Sequence, residues 1–341
     1  MKRTICAILA VSMSMMMFAG CGSKAANSSP AAQASAGEAQ ASSWTPSQNV
    51  NWIVTSGAGG GSDIFTRMIT DTMTTEKICD RTFLVTNKTD GGGEIGRASV
   101  SQTRKGNEAD HTLLTFNSGD LMPMVKNTPN RIENFTPLAV MAVDKQLLFK
   151  GEKSKYADFK SAIAAAKSGT PVVIGGSKGD DIATYEKLIV EIGVTEKQMP
   201  YITYDSTGDA ITAILGSHVD FVISKPAASS QYVEAKRMTP VLALSKERFT
   251  GLLADAPKLS EIGNYKDVEV PVWRAVVGPK NMSPEAAAYW SAALKKVSDS
   301  DKWKQSYIAK NLLISNYMDL KETSSYMAQF QKDYMAQENI K

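Results

Sequence analysis

Two glycine-rich segments, each between an apolar run and an amphipathic run, most constrain what this chain can fold into. The first is 57–63, Gly-Ala-Gly-Gly-Gly-Ser-Asp, which follows the strand-like run 51–55 and precedes apolar residues at helical spacing. The second is 90–94, Asp-Gly-Gly-Gly-Glu, which follows the strand-like run 82–86. A glycine turn that leads into a helix presents backbone N–H groups at the positive end of the helix dipole, where anions bind. The sequence therefore predicts two backbone cradles that face one cleft and hold a small carboxylate.

The N-terminal segment has the layout of an export signal. Lys2 and Arg3 precede an apolar run, 5–18, that is too short for a stable membrane span, and small residues lead to Cys21. The Ala-Gly-Cys ending resembles the lipobox of bacterial lipoproteins, in which the cysteine is lipidated, with Phe where Leu is usual. We therefore predict a lipoprotein signal peptide at 1–20 and lipidation of Cys21. A simple secretory signal with an incidental cysteine is the alternative.

Residues 21–45 are dominated by Ala, Ser, Gly and Gln. Such a composition cannot bury enough apolar surface to offset the entropy of the chain, so we predict a flexible tether. No later segment has the roughly 18 consecutive apolar residues that a membrane span needs. The lipid and the tether would together hold the folded part at the extracytoplasmic face of the cell membrane, on a cell surface or in a periplasm.

Charge and cysteine content exclude several functions. The chain has 38 Lys and Arg against 35 Asp and Glu, a net charge of +3, and loss of Lys2 and Arg3 with the signal lowers it by two to +1. A nearly neutral chain without a clustered basic face is not typical of a nucleic-acid-binding protein. With Cys6 in the signal and Cys21 lipidated, Cys79 has no disulfide partner and is interpreted as a small buried apolar residue. We expect a monomer.

After residue 46, strand-like and helix-like segments alternate, which predicts an α/β fold with mostly parallel sheets. Two short strand candidates flank 144–145, where we place a crossing between two lobes, with a return near Ser245. The predicted division is lobe I, 46–144 plus 246–341, and lobe II, 145–245. A helical C-terminal tail is predicted as three helices without strands, at 284–298, 301–311 and 320–337.

Ligands of open α/β sheets bind outside the carboxyl ends of the strands, so the turns from strand to helix are informative. Four such turns accompany the two cradles, at 117–120, 175–180, 204–208 and 224–226. They offer backbone N–H groups and short neutral hydrogen-bonding side chains, and two of them add the cations Lys178 and Lys225. The ligand-binding residues predicted on these turns are Asn117, Ser118, Ser177, Thr207 and Ser224.

The chain has few residues of the kind that catalytic and metal sites need. Its two histidines, His111 and His218, are not in a ligand-spaced pair, so no metal site is predicted. Neither a Gly-x-Ser-x-Gly elbow nor a phosphate-binding loop occurs, and we predict no catalytic residue and no cofactor. Residues 91–96 fit Gly-x-Gly-x-x-Gly, so an exported α/β enzyme, a hydrolase or a dinucleotide-dependent oxidoreductase, is the alternative function. The second cradle and the export signal argue against that alternative.

Several segments, taken in order, resemble the solute-binding receptors of tripartite tricarboxylate transporters, the Bug-like receptors. Residues 59–63 with Arg67 are similar to the family's first loop, Pro-Gly-Gly-x-x-Asp followed by Arg, and 87–96 to its second, Asn-x-Pro-Gly-Ala-Gly-Gly-x-x-Gly. Further matching segments are Pro200 with Tyr204, 215–220, 256–263, and Trp273 with 278–280. The resemblance extends over nearly the whole folded part, and its specificity comes from the order and spacing of these segments.

The resemblance implies a type II periplasmic-binding-protein fold, in which two α/β lobes joined by two crossings close over a ligand. It implies that the closed receptor docks on the integral membrane subunits of the transporter. The implied ligand is a small organic carboxylate that backbone N–H groups of the first two loops grip, while loops of lobe II around Ser177, Thr207 and Ser224 hold its other end. The residues that the resemblance implies bind the carboxylate are Gly60, Gly61, Ser62 and Asp63 in the first loop, and Gly91, Gly92 and Gly93 in the second.

The sequence departs from the family pattern at four positions. Ala58 and Thr89 replace Pro, and Asp90 replaces Gly, so the shape and charge of the two loops differ. Ser224 stands where many members carry an Asp, which in amino-acid binders can meet an ammonium group. We therefore expect an organic acid or a neutral-ended ligand rather than an amino acid.

Overall fold

The computed structural model describes residues 44–340. The predicted signal peptide, the lipidation of Cys21 and nearly all of the predicted tether lie outside the described residues. Eleven strands are present in this part, and they form two separate sheets. In chain order they are β1 (Val50–Val54), β2 (Phe83–Asn87), β3 (Thr112–Asn117), β4 (Phe135–Asp144), β5 (Gln146–Gly151), β6 (Ile174–Ser177), β7 (Tyr201–Tyr204), β8 (Phe221–Ser224), β9 (Met238–Leu244), β10 (Val272–Pro279) and β11 (Ile314–Met318).

The helices of residues 44–340 fill the connections between these strands. They are α1 (Gly61–Thr75), α2 (Glu94–Ser101), α3 (Asn107–Asp110), α4 (Ser118–Asn127), α5 (Phe159–Lys167), α6 (Asp180–Ile192), α7 (Thr207–Leu215), α8 (Pro226–Glu234), α9 (Leu259–Ile262), α10 (Pro284–Asp299), α11 (Asp301–Trp303) and α12 (Leu320–Gln337). Short 3-10 turns lie at Ile132–Asn134 and Gly251–Leu253, and α11 continues into a π-helical turn, Lys304–Ala309.

The first sheet has six strands in the order β11-β4-β10-β3-β1-β2. β1 pairs in parallel with β2 and β3, whereas the pairs of β10 with β3 and β4, and of β11 with β4, are antiparallel. The second sheet has the order β7-β6-β8-β5-β9 and is also mixed: β6 pairs in parallel with β7 and β8, and β5 is antiparallel to β8 and β9. The expectation of mostly parallel sheets was therefore wrong. Apolar runs indicate that a strand is buried on both faces, but they carry no information about its direction.

Each sheet lies between two apolar layers, which is why its central strands are apolar on both faces. β3 (Thr-Leu-Leu-Thr-Phe-Asn) and β10 are buried along their whole length. One core of the first sheet contains Phe65 and Ile69 of α1 with Trp290 of α10, and the other contains residues of α4 and α12. The second sheet packs against α5 and α6 on one face and against α7 and α8 on the other.

The chain passes from the first sheet to the second at a single residue, Lys145, between β4 and β5. The return runs from β9 to β10, and Phe249, Leu253 and Leu259 on this connection pack into the cores of the second sheet. This packing favours a return crossing closer to β10 than the predicted position near Ser245. The lobe bounds 46–144 plus 246–341 and 145–245 stay a prediction.

The C-terminal tail packs back onto the first sheet. Met327 of α12 is part of a core of that sheet, and Phe330 lies edge-on to Trp273 with ring centroids 5.4 Å apart. The prediction of a tail without strands was wrong, because β11 adds an edge strand beside β4. β11 is half exposed and therefore lacks the apolar run by which buried strands are recognised. Within residues 44–340, no helix combines the length and apolar character needed to cross a membrane.

Candidate functional site

The turns at the ends of the strands of both sheets meet around a cavity of about 60 Å³. Seven predicted ligand-binding residues line it, with others that the sequence analysis did not single out, among them Thr55, Asp120, Asp180 and Arg274. The predicted residues brought together are Gly60, Gly61, Ser62, Gly92, Asn117, Ser177 and Thr207. The first four and Asn117 come from turns of the first sheet, and Ser177 and Thr207 from turns of the second.

The first glycine segment forms the loop before α1, and Asp63 braces it from inside. The carboxylate of Asp63 accepts hydrogen bonds from the Gly59 N–H at 3.0 Å, from Arg67 Nε at 3.0–3.1 Å and from Asn87 Nδ2 at 3.1 Å. Burial acts to raise the pKa of Asp63, but these hydrogen bonds outweigh it and lower the pKa. Asp63 is thus an ionised group that holds the loop in shape, and it does not line the cavity.

A buried ion pair lies directly behind this loop. Arg274 of β10 pairs with Asp144 at the end of β4, at 2.5 Å between Nη2 and Oδ2, and both residues are almost completely buried. A Cβ atom at Gly61 would lie 2.5 Å from Arg274 Nη2, so only glycine fits there without displacing the guanidinium. The absence of a side chain at Gly61 therefore lets the loop lie against a cation.

The second glycine segment turns tightly into α2, with φ angles of 61°, 70° and 85° at Gly91, Gly92 and Gly93. Only glycine adopts this left-handed region three times in succession without strain. Below it, Asp120 Oδ1 accepts hydrogen bonds from Arg97 Nη1 at 2.9 Å and from Thr55 Oγ1 at 2.5 Å.

Six helices of eight or more residues in the described range begin at or beside the cavity, and two of them, α4 and α7, are capped by the side chains of Asn117 and Ser206. Among helices of eight or more residues in the described range, those far from the cavity (α5, α10 and α12) begin with a side-chain cap from Asp158, Ser283 or Asp319. Four helices that begin at or beside the cavity have no side-chain cap; their N-cap residues are Gly60, Gly93, Gly179 and Lys225. Uncapped first turns leave backbone N–H groups available to an anion.

The second sheet contributes a buried lysine between two carboxylates. Lys225 Nζ contacts Asp180 Oδ2 at 2.5 Å and also the carboxylate of Asp181. Gln146 Nε2 donates to both acids, at 3.0 Å to Asp180 and 2.5 Å to Asp181, and Ser177 donates to Asp181 Oδ2 through its N–H and its hydroxyl, each at 2.7 Å.

The charges of this trio shift the pKa values of Lys225 and Asp181. Burial acts to lower the pKa of Lys225, but the two carboxylates outweigh it and raise the pKa. Burial raises the pKa of Asp181 to about 6, although Lys225 opposes the shift, and the neighbouring Asp180 adds to it. Lys225 is therefore protonated across the physiological range, and it balances only one of its two partners.

Turns of the two sheets touch across the cavity. Ser206 caps α7, and its Cβ lies 3.1 and 3.2 Å from the Cβ positions that Gly57 and Gly60 would have. On the opposite side, a Cβ at Gly119 would overlap with Asp180 Oδ1. The glycines on the first-sheet side thus allow the second-sheet turns to approach closely.

Five predicted residues lie away from the cavity. Asp63 braces its loop, and Gly91 lines a neighbouring depression with Gly92. Gly93 is the N-cap of α2. Ser118 is buried at the start of α4, and its hydroxyl has no hydrogen-bond partner within residues 44–340. Ser224 is fully buried and bonds to the hydroxyl of Ser229.

The residues that sequence reasoning missed are mostly the charged ones. They are Arg97, Asp144, Asp180, Asp181 and Arg274; the two acids at 180 and 181 are adjacent, and Asp144 precedes Lys145. An arginine within the apolar run of β10 is the one local signal among them, because a buried cation requires a buried partner. Asp90, expected beside the anion site, is exposed to solvent. Within the described residues, no group of three or more His, Cys, Asp or Glu side chains has the arrangement of a metal site.

Comparison with protein families gives a match over most of the chain. The sequence profile described as "Tripartite tricarboxylate transporter family receptor" matches residues 65–339. A curated relative from Agrobacterium vitis, a UPF0065 protein encoded in the TAR-I ttuE-ttuC′ intergenic region, is 25% identical over 264 residues, 75% of this chain and 73% of its own. Another, a UPF0065 protein from the gbd 5′ region of Cupriavidus necator, is 25% identical over 293 residues, 83% of this chain and 84% of its own.

Solved structures show the same fold. The periplasmic binding protein BugD aligns with a TM-score of 0.77 at 19% identity, over 87% of this chain and 99% of its own. MatC from Rhodopseudomonas palustris, with bound malate, aligns with a TM-score of 0.75 at 18% identity, over 86% and 98%. The predicted two-lobed type II periplasmic-binding-protein fold with a helical C-terminal tail is confirmed.

The matched family is one of transporter receptors and BugD is a periplasmic binding protein, so the enzyme alternative was wrong. The profile match, which spans more than half of the chain, establishes the identity: the chain belongs to the tripartite tricarboxylate transporter receptor family and is a solute-binding receptor.

Proposed function

We propose that this receptor captures a small carboxylate between two lobes by hinge closure and delivers it to the integral membrane subunits of a tripartite transporter. The observation that carries the proposal is the convergence of uncapped helix starts and the Arg274 guanidinium on one cavity. Two structural neighbours support the ligand class, since MatC holds malate and another R. palustris protein, TM-score 0.73 at 17% identity over 86% of this chain and 96% of its own, holds adipate.

The carboxylate would lie against the first-sheet loops. Gly60, Gly61 and Ser62 form the uncapped start of α1, and Gly92 precedes the uncapped start of α2. Their N–H groups sit at positive dipole ends, and Arg274 adds a full charge behind Gly61. In the low dielectric of a closed cleft these contacts are stronger than they are in water.

The second-sheet turns would complete the enclosure. Ser177, Thr207 and Ser206 line the opposite wall. A ligand that contacts both walls stabilises the closed arrangement by the difference between its contacts in the closed and open states. We place the two lobes at 46–144 plus 246–341 and at 145–245.

We further propose export, lipidation at Cys21 and a tether over 21–45, which would hold a monomeric receptor at the extracytoplasmic face of the membrane. The support is the basic start, the short apolar run and the Ala-Gly-Cys ending of the sequence. A tethered receptor remains close to membrane subunits that share the same surface.

The test is a thermal-shift screen of the purified chain over di- and tricarboxylates, aromatic acids, amino acids and nicotinate-like compounds. Binding to the native state raises the melting temperature with ligand concentration. We expect at least one carboxylate to produce a saturable shift and its methyl ester to produce none. Small-angle scattering of the same sample should show a smaller radius of gyration with the ligand. If the ester shifts the melting temperature as much as the acid does, the carboxylate grip is wrong.

A further inference from the structure

The buried charges around the cavity are not balanced. Three cations, Arg97, Lys225 and Arg274, lie at or beneath the cavity walls, each 2–4% exposed. Four carboxylates pair with them, and each is at most 5% exposed: Asp120, Asp144, Asp180 and Asp181. Arg274 pairs with Asp144 and Lys225 is shared by Asp180 and Asp181, while Arg97 pairs with Asp120 and also with the partly exposed Glu94. The seven buried groups, three cations and four carboxylates, therefore carry one negative charge in excess before any ligand enters.

The excess charge has a definite location at Asp180. In the described part of the chain, both polar contacts of its carboxylate, with Lys225 Nζ at 2.5 Å and Gln146 Nε2 at 3.0 Å, are made by Oδ2. Oδ1 lies on the other side, against Gly119, and both residues line the cavity. Asp180 therefore has one oxygen engaged with its own lobe and one at the wall that a ligand would meet.

A backbone acceptor lies beside this oxygen. Gly119 is in the first turn of α4, and the residue four positions later is Pro123, which has no N–H to donate to the Gly119 carbonyl. The same carbonyl lies against Gly179, the residue before Asp180. Acceptors with incomplete partners thus gather at this end of the cavity.

The loop before α1 has the reverse character. There the uncapped start of α1 and Arg274 present donors and positive charge at Gly60, Gly61 and Ser62. A dicarboxylate would place its second negative charge near Asp180, inside a group that already has an excess negative charge. A ligand with a cationic end would instead neutralise that excess. Desolvated like charges repel strongly, so this difference decides the ligand class.

We propose that the preferred ligand is a small amino acid in its zwitterionic form, an inference that rests on the proposed carboxylate site. The carboxylate of the ligand lies at Gly60–Ser62, and its ammonium lies at Asp180 Oδ1 and the Gly119 carbonyl. The cavity volume of about 60 Å³ restricts the ligand to a short chain in this closed arrangement. The sequence favoured the opposite preference because Ser224 lacks a carboxylate. In the fold, Asp180 at the start of α6 supplies the carboxylate that is missing at Ser224.

Matched ligand pairs test the proposal on the unaltered protein. Succinate and 3-aminopropanoate share a two-methylene spacer, glutarate and 4-aminobutanoate share a three-methylene spacer, and malate and aspartate differ at one substituent. Calorimetry at pH 7.5 should show the amino member of at least one pair binding about tenfold or more tightly than its partner, as a charge-assisted contact predicts. Tighter binding of the diacid or of malate in every pair would overturn the proposal.

An Asp180→Asn variant locates the effect. It removes the excess charge and should reduce the preference for the amino member to within about twofold, while diacids bind as well as before or better. The control is Asp299→Asn, which removes an exposed carboxylate paired with Lys295 on α10 and should leave the preference unchanged. If Asp180→Asn retains the full preference, Asp180 does not meet the ammonium. Should this variant not fold, the ligand pairs decide alone.

The two proposals fail in different ways. If no member of any pair binds and the wider carboxylate screen is also negative, the carboxylate site itself is wrong. If diacids bind and amino acids do not, the carboxylate site stands and the zwitterion proposal is wrong. If diacids bind with uptake of a proton, measured as a buffer-dependent binding enthalpy, the excess charge is neutralised by protonation rather than by a ligand cation, and the zwitterion proposal is equally wrong.

Discussion

Gly61 and Arg274 are in such close contact that a single Cβ atom on the first would stand 2.5 Å from Nη2 of the second. The two residues are 213 positions apart in the sequence, one at the start of α1 and the other in the middle of β10. This contact joins the uncapped helix start to the buried Arg274–Asp144 ion pair. The proposed grip on a carboxylate therefore depends on a glycine and an arginine acting together.

Gly61→Ala should weaken ligand binding about tenfold or more and lower the free energy of unfolding by about 1–3 kcal/mol, because the methyl group displaces the Arg274 guanidinium from Asp144. The measurements are calorimetric affinity and urea unfolding. The matched control is Gly208→Ala in the first turn of α7, where a Cβ meets its neighbours at ordinary distances of 3.4–3.6 Å. Equal affinities of the two variants would contradict the role of the contact.

Asp63→Ala should loosen the first glycine loop, because the loop loses the acceptor for the Gly59 N–H, Arg67 and Asn87. We expect a loss of about 1–3 kcal/mol in unfolding free energy and weaker ligand binding. The control is Asp71→Ala, an exposed position on the same helix that pairs with Lys302. Unchanged ligand affinity in Asp63→Ala would show that the loop keeps its shape without this brace.

Asp181 should make folding stability fall as pH rises through the mildly acidic range. Its pKa is about 6 in the folded protein against a usual 3.8, so the native state retains a proton that the unfolded chain releases. The resulting stabilisation is fully present below about pH 4 and is lost as pH rises through 6, an effect of about 2–3 kcal/mol.

The measurement is urea unfolding of the unaltered chain and of Asp181→Asn between pH 4 and 7.5. The variant cannot titrate at this position, so its stability relative to the unaltered chain should increase as pH rises across that range. The contributions of other acids to the pH dependence of stability are the same in both proteins and cancel in this difference. They include that of Asp63, whose lowered pKa acts in the opposite direction. A difference that does not change with pH would mean that Asp181 is ionised throughout.

Cys21→Ser should move the protein from the membrane fraction to the soluble extracytoplasmic fraction, because serine cannot carry the thioether-linked lipid of a lipoprotein. Immunoblots of fractionated cells provide the measurement, with Cys79→Ser as the control for loss of a cysteine elsewhere in the chain. Continued retention of Cys21→Ser on membranes would refute lipid anchoring at this residue.

Local sequence patterns determined much of the fold. The strands predicted at 51–55 and 82–86 and the two that flank 144–145 overlap observed strands, because a strand buried on both faces needs an apolar run wherever it lies in a sheet. The two glycine cradles were recognised for a similarly local reason, since a strand, a glycine turn and a helix start are adjacent in the chain. β11 was not predicted, because an exposed edge strand does not need an apolar run.

Only the tertiary structure decided which groups share the cavity and what charge it holds. Arg274 and Asp144 are 130 residues apart, and Asp180 approaches Gly119 across the seam between the two sheets. Asp180 and Asp181 look like ordinary first-turn acids in the sequence, where their partners Gln146 and Lys225 cannot be recognised. Electrostatic interaction depends on distance and burial, and neither is a property of a residue's position in the sequence. The sequence thus determined the two glycine turns that lead into helices, and the fold determined which charged groups lie around them.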